Sequence, residues 1–160
     1  MSRRYRPSSP SPIRALACSA ALLAAVASMA AVPAPALAAA PAEPLTTVAE
    51  RSGFQRTGRY EEVATLAAAF QARYPDRVAA RSFGTTPEGR PMQLLVVTAT
   101  GAFDAAEARR RGLPVVLVQG GIHAGEIDGK DAGFLALREA LEGEAAAGAL
   151  DRQALLLVPA

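Results

Sequence analysis

The chain has one histidine, His123, and it stands three residues before Glu126 in the run Gln119-Gly120-Gly121-Ile122-His123-Ala124-Gly125-Glu126. Across a junction from loop to helix, that spacing can aim an imidazole nitrogen and a carboxylate oxygen at one point. Zinc accepts both donors at about 2.0–2.2 Å and takes four ligands, one of them water where the site is catalytic. The pair therefore suits two of three protein ligands in a hydrolytic metal centre. A lone His-x-x-Glu is a weak signal, and the ordinary alternative is a histidine satisfied by a backbone carbonyl. Context favours the metal. Two glycines precede the pair and let the backbone turn, while Ala124 and Gly125 keep the approach clear. Thiolate chemistry is excluded from the body of the chain, because the only cysteine is Cys18.

The elements that must hold this pair read as alternating strands and helices. Val115–Val118 is a short β-branched run, the pattern of a strand buried on both faces. From about Ile127 to Leu141 apolar residues (Ile127, Phe134, Leu137, Leu141) recur at helical spacing. Open α/β sheets place ligands beyond the carboxyl ends of strands, where such helices begin. Upstream, Tyr60, Val63, Leu66, Ala67, Phe70 and Tyr74 mark one helical face, which Pro75 ends. Val78–Phe83 and Met92–Thr98 read as strands joined into an antiparallel hairpin by Gly84-Thr85-Thr86-Pro87-Glu88-Gly89-Arg90-Pro91. Asp104–Arg111 is a short helix with acids early and arginines late, closed by Gly112. Leu155–Val158 opens a further buried strand. There is no internal repeat. The fold class is α/β, with a mixed, largely buried sheet flanked by helices.

Charged residues outside the pair have plainer readings. Arg90 is expected to anchor its loop, Arg109–Arg111 to form a solvated helix end, and Arg138 to pair with Glu142 at i, i+4. Asp128 and Asp131 suit either partners of the metal ligands or acids that complement a helix N-terminus.

The N-terminal segment is different in kind. Fourteen of the first 40 residues are alanine, and Arg3, Arg4, Arg6 and Arg14 precede or open the apolar run Ala15–Val32. Ala36-Leu37-Ala38 reads as a small-residue cleavage site, so residues 1–38 are expected to be a signal peptide. The run is alanine-dominated and ends at Pro33 and Pro35, which argues against a membrane anchor. Without residues 1–38 the chain carries 13 basic and 15 acidic residues, a net charge of −2. That balance leaves no basic surplus for nucleic acid. The expected product is exported, periplasmic or secreted, with no stable membrane span after cleavage. Residues 39–56 read as a Pro/Ala-rich linker and lead-in, structureless from Ala39 to Thr47, followed by the alternating strands and helices of 57–160.

Two segments together resemble the zinc carboxypeptidases related to pancreatic carboxypeptidases A and B. Gly121-Ile122-His123-Ala124-Gly125-Glu126 is similar to that family's zinc pair at the end of a buried strand. Gly84 to Pro91 is similar to its Gly-x-Ser/Thr-x-Glu-Gly-Arg-Pro loop, with threonine where serine is usual. Ile127-Asp128-Gly129-Lys130-Asp131-Ala132 is similar to exported bacterial members. The likeness runs from about Thr57 to Ala160, roughly the first third of that family's catalytic domain.

The resemblance implies one zinc ion held by His123 and Glu126, and hydrolysis of peptide bonds by metal-activated water. It places the third ligand (a second histidine), the arginines for the substrate carboxylate and the general-base glutamate further along, beyond Ala160. On this reading the chain is the N-terminal part of a longer protein. It holds no complete catalytic set, and the 160 residues alone are expected to be inactive. The expected partner is a peptide or protein substrate, its binding residues not assignable from the sequence. Two alternatives stand beside this one: a zinc-dependent deacylase of N-acyl amino acids, and an inactive exported relative that binds peptides.

Overall fold

The computed structural model describes residues 44–123, 125–144 and 146–160. The expected signal peptide, with Cys18, lies outside them, as does the start of the lead-in. The described elements are α1 (Val48–Arg51), α2 (Tyr60–Arg73), β1 (Val78–Thr85), β2 (Pro91–Thr98), α3 (Ala105–Arg110), β3 (Val115–Gln119), α4 (Asp128–Glu142) and β4 (Ala154–Val158).

The four strands form one sheet in the order β1-β2-β4-β3, antiparallel between β1 and β2 and between β2 and β4, parallel between β4 and β3. These directions gather the carboxyl ends of β1, β3 and β4 with the amino end of β2. The hairpin loop at Thr86–Arg90 and the turn after Gln119 therefore leave the same end of the sheet. Alternation of side chains sorts the two faces. Leu95, Val97 and Leu157 join a core with Val63, Leu66 and Phe70 of α2 and Phe134, Leu137 and Leu141 of α4. Phe70 and Phe134 stack at 5.9 Å between ring centroids, tying the two helices together. On the opposite face Val96, Ala154 and Leu156 line a hollow shared with Ala105 and Ala108 of α3.

The helical face expected from Tyr60 onward is present, with Val63, Leu66, Ala67 and Phe70 buried. The expected hairpin is present too, with a register shift between Ser82 and Gly84. Other expectations need correction. Val115–Val118 is not buried on both faces: its four side chains are 50%, 41%, 59% and 40% exposed. Among the described residues β3 pairs only with β4, and none of its side chains enters the core. A β-branched run suits burial, but burial itself needs a layer over each face. Ile127 is also exposed, because it is the N-cap of α4 and not part of its apolar face.

The lead-in carries the short helix α1 directly after the segment expected to be structureless, Ala39–Thr47, whose described residues 44–47 form no helix or strand. Thr47 caps α1 in a reciprocal box: its side chain accepts from Glu50 N–H, and the Glu50 carboxylate accepts from Thr47 N–H. Leu45, Thr47 and Ala49 are buried. Arg138 docks this turn onto α4. Its guanidinium donates to both carboxylate oxygens of Glu50 and to the Leu45 carbonyl at 3.1 Å. The expected Arg138–Glu142 pair is thus replaced by a two-pronged one, favoured by its fork geometry. Glu142 instead accepts from the Tyr74 hydroxyl.

One close approach fixes the strand end against the helix that follows. A Cβ on Gly120 would lie 2.7 Å from the Gly129 carbonyl carbon and 2.8 Å from the Pro159 oxygen. A Cβ on Gly129 would lie 2.9 Å from the Gly120 Cα. The end of β3 and the first turn of α4 therefore meet backbone to backbone. Of the two glycines expected to make the turn, Gly121 does so at φ +59°, whereas Gly120 serves this contact.

Two predictions follow from the packing. Gly120→Ala is expected to destabilise the chain by about 1–3 kcal/mol through backbone displacement. Gly125→Ala, left-handed at φ +92° but in open space, should cost about 1–2 kcal/mol from conformation alone. Urea unfolding of both variants measures the difference, and the Gly120 variant alone should shift backbone resonances in the first turn of α4. For the docked lead-in, the Arg138 hydrogen bonds hold the Glu50 carboxyl below its ordinary range. That stabilisation is complete above the ordinary glutamate range and is lost as pH falls through the lowered folded value. Arg138→Met should therefore cost about 1.5–3 kcal/mol near neutral pH and flatten the acid limb of a stability-against-pH curve.

Candidate metal centre

His123 and Glu126 sit in the connection between β3 and α4, at the carboxyl end of the strand. The connection is short and its path is set at both ends. Gly120 N–H donates to the Val158 carbonyl at 2.8 Å, which extends the parallel pairing of β3 with β4 past the last strand residue. Gly121 and Gly125 take left-handed conformations, and Glu126 N–H closes a turn onto the His123 carbonyl at 3.1 Å. This turn brings the two side chains together. His123 Nδ1 lies 2.8 Å from Glu126 Oε1. Both side chains are open to solvent, 76% and 61% exposed. Among the described residues each is the other's only side-chain partner.

The donor set fits zinc in part. Two ligands on a tetrahedral ion stand about 3.3 Å apart at ordinary zinc bond lengths, so the observed 2.8 Å needs a small opening. Coordination through Nδ1 would require the tautomer with hydrogen on Nε2. Among the described residues no group of three or more histidine, cysteine, aspartate or glutamate side chains is placed to hold a metal ion. The pair offers at most two donors to an ion.

A cleft of about 280 Å³ contains the pair and is lined also by Arg59, Tyr60, Arg90 and Lys130. Tyr60 donates its hydroxyl to the Pro91 carbonyl at 2.5 Å, and the Arg90 guanidinium lies 5.7 Å over its ring. In its loop the Arg90 backbone N–H and carbonyl both bond to Thr86, and its guanidinium pairs with Glu88 at 3.2 Å. It also reaches the rim of the cleft. A larger hollow of about 490 Å³ lies beside it, lined by Phe54, Thr57, Ile127, Asp128 and Asp131 among others. That hollow holds no histidine, and its two aspartates lie on the first turn of α4.

The two aspartates separate. Asp131 turns away from the pair, accepting from Thr57 Oγ1 and Lys130 Nζ, each at 2.6 Å. Asp128 has no side-chain partner among the described residues and fits the helix N-terminus. Sequence reasoning did not find Lys130, which is 5% exposed. The available signal was a cation in the first turn of a helix, where the dipole disfavours it and some other group must satisfy it.

The fold is shared with solved proteins. Carboxypeptidase A from Helicoverpa armigera superposes with a TM-score of 0.53 at 18% identity, covering 64% of this chain and 24% of that one. Bovine thrombin-activatable fibrinolysis inhibitor, solved in complex with tick carboxypeptidase inhibitor, superposes at 0.52 and 17% identity, covering 65% and 30%. The chain therefore spans less than a third of the length of either. These likenesses show a shared fold. No match was found among curated proteins. The family model described as zinc carboxypeptidase matches residues 63–160, more than half of the chain and including both His123 and Glu126. The chain belongs to the zinc carboxypeptidase family.

Proposed function

We propose that this chain carries two of the protein ligands of a zinc-dependent carboxypeptidase centre, His123 and Glu126, in a protein exported from the cytoplasm. The observation that carries the reading is the 2.8 Å approach of His123 Nδ1 to Glu126 Oε1 in a solvent-open turn at the carboxyl end of β3. Membership of the family supports the metal and the peptide substrate, and the composition of residues 1–38 supports export.

Zinc held by His123 and Glu126 would supply Lewis-acid polarisation of a peptide carbonyl and activation of water. The chain's own contribution is placement. The left-handed Gly125 lets the backbone fold Glu126 back toward His123. The Glu126 carboxylate orients the imidazole through its contact with Nδ1. A third ligand and a general base would have to come from residues other than those described.

The whole protein is therefore expected to release C-terminal residues from peptides with a free carboxyl end. That activity should fall at least about a thousandfold with 1,10-phenanthroline or with His123→Ala, and return when zinc is restored to the wild type. Hydrolysis that survives both treatments would contradict the reading. Hydrolysis of N-acyl amino acids in preference to peptides would favour the deacylase alternative.

A further inference from the structure

Lys130 lines the cleft that holds His123 and Glu126, yet its side chain is 6% exposed. Its ammonium donates to Glu62 of α2 and to Asp131 at 2.6 Å. Glu62, 9% exposed, also accepts from the Val48 N–H at the start of α1. Asp131, 11% exposed, also accepts from Thr57 Oγ1. One ammonium and two carboxylates thus join α1, the segment before α2, the first turn of α2 and the first turn of α4. Removing these charges from water is costly, and well-packed apolar side chains generally hold elements together as well or better. A clamp built from charges therefore points to a need for a fixed position.

Location supplies that need. Lys130 follows Gly129, whose backbone touches Gly120. Between those two glycines the chain runs through the turn that carries His123 and Glu126. The seat of that turn depends on its two anchors, the backbone contact at Gly120–Gly129 and the charge cluster one residue later. We propose that Lys130 is a positioning residue: acting through Glu62 and Asp131, it holds the first turn of α4 so that Glu126 and His123 keep the spacing a metal requires. The proposal rests on the metal assignment above.

Zinc affinity of the whole protein, measured by competition with a chromogenic chelator beside the melting temperature, tests it. The variant Glu62→Gln/Lys130→Met/Asp131→Asn leaves no unpaired buried charge and is expected to fold. Its zinc affinity should fall tenfold or more. Thr57→Val keeps the three charges and removes only the outer tether of Asp131; a loss of roughly threefold is expected. Arg138→Met, which loosens α1 at a distance, should lower the melting temperature and leave zinc affinity unchanged. Undiminished zinc affinity in the folded triple variant would overturn the proposal, and if that variant does not fold, unchanged affinity in Thr57→Val would do so. Absence of zinc binding by the wild-type whole protein would remove the metal assignment and this proposal together. Normal wild-type binding with insensitive variants would remove the proposal alone.

Discussion

The contact between Gly120 and Gly129 is the constraint on which the rest of the arrangement depends. A strand end and the first turn of the next helix cannot approach this closely with side chains between them. Once they do, only a tight turn can connect them, and Gly121 and Gly125 supply its left-handed residues. His123 and Glu126 are then brought together by the path of the backbone, not by a pocket closing around them. Their high exposure is consistent with this: the turn is positioned from its ends.

Both anchors draw on residues distant in sequence. Pro159 closes over Gly120 from the end of β4, so the strand that lies last in the chain helps to seat the turn. Lys130 reaches Glu62, 68 residues away, and Arg138 reaches Glu50, 88 residues away. The apolar core under α2 and α4 gives these helices a common base through Phe70 and Phe134. The buried charges then select one alignment of their first turns. Association of the helices rests on apolar burial, and their register on the ion pairs.

Much of this was legible in the sequence, for reasons that also explain what was not. Helical spacing from Tyr60 and the turn-rich loop before Met92 are local patterns, and α2 and the hairpin follow them. The His123–Glu126 pair was legible because both members lie in one short run. The reading missed α1, although Thr47 and Glu50 are spaced as a capping box. The partner of Arg138 was misread because the i, i+4 rule ranks only neighbours on one helix. A half-buried carboxylate on another element offered two hydrogen bonds instead. Val115–Val118 shows the opposite limit: composition announces a strand suited to burial, while actual burial depends on layers the run itself cannot specify.

The central claim is that this turn presents one imidazole and one carboxylate to the same metal ion. Because His123 is the only histidine, its imidazole proton and nitrogen resonances report on that one site without ambiguity. Zinc titration of the chain followed on those resonances, in the wild type and in Glu126→Gln, is the most direct measurement. The account predicts a saturable shift with coordination through Nδ1 in the wild type and a much weaker response in the variant. An imidazole that ignores zinc, or one that responds equally in both proteins, would contradict it.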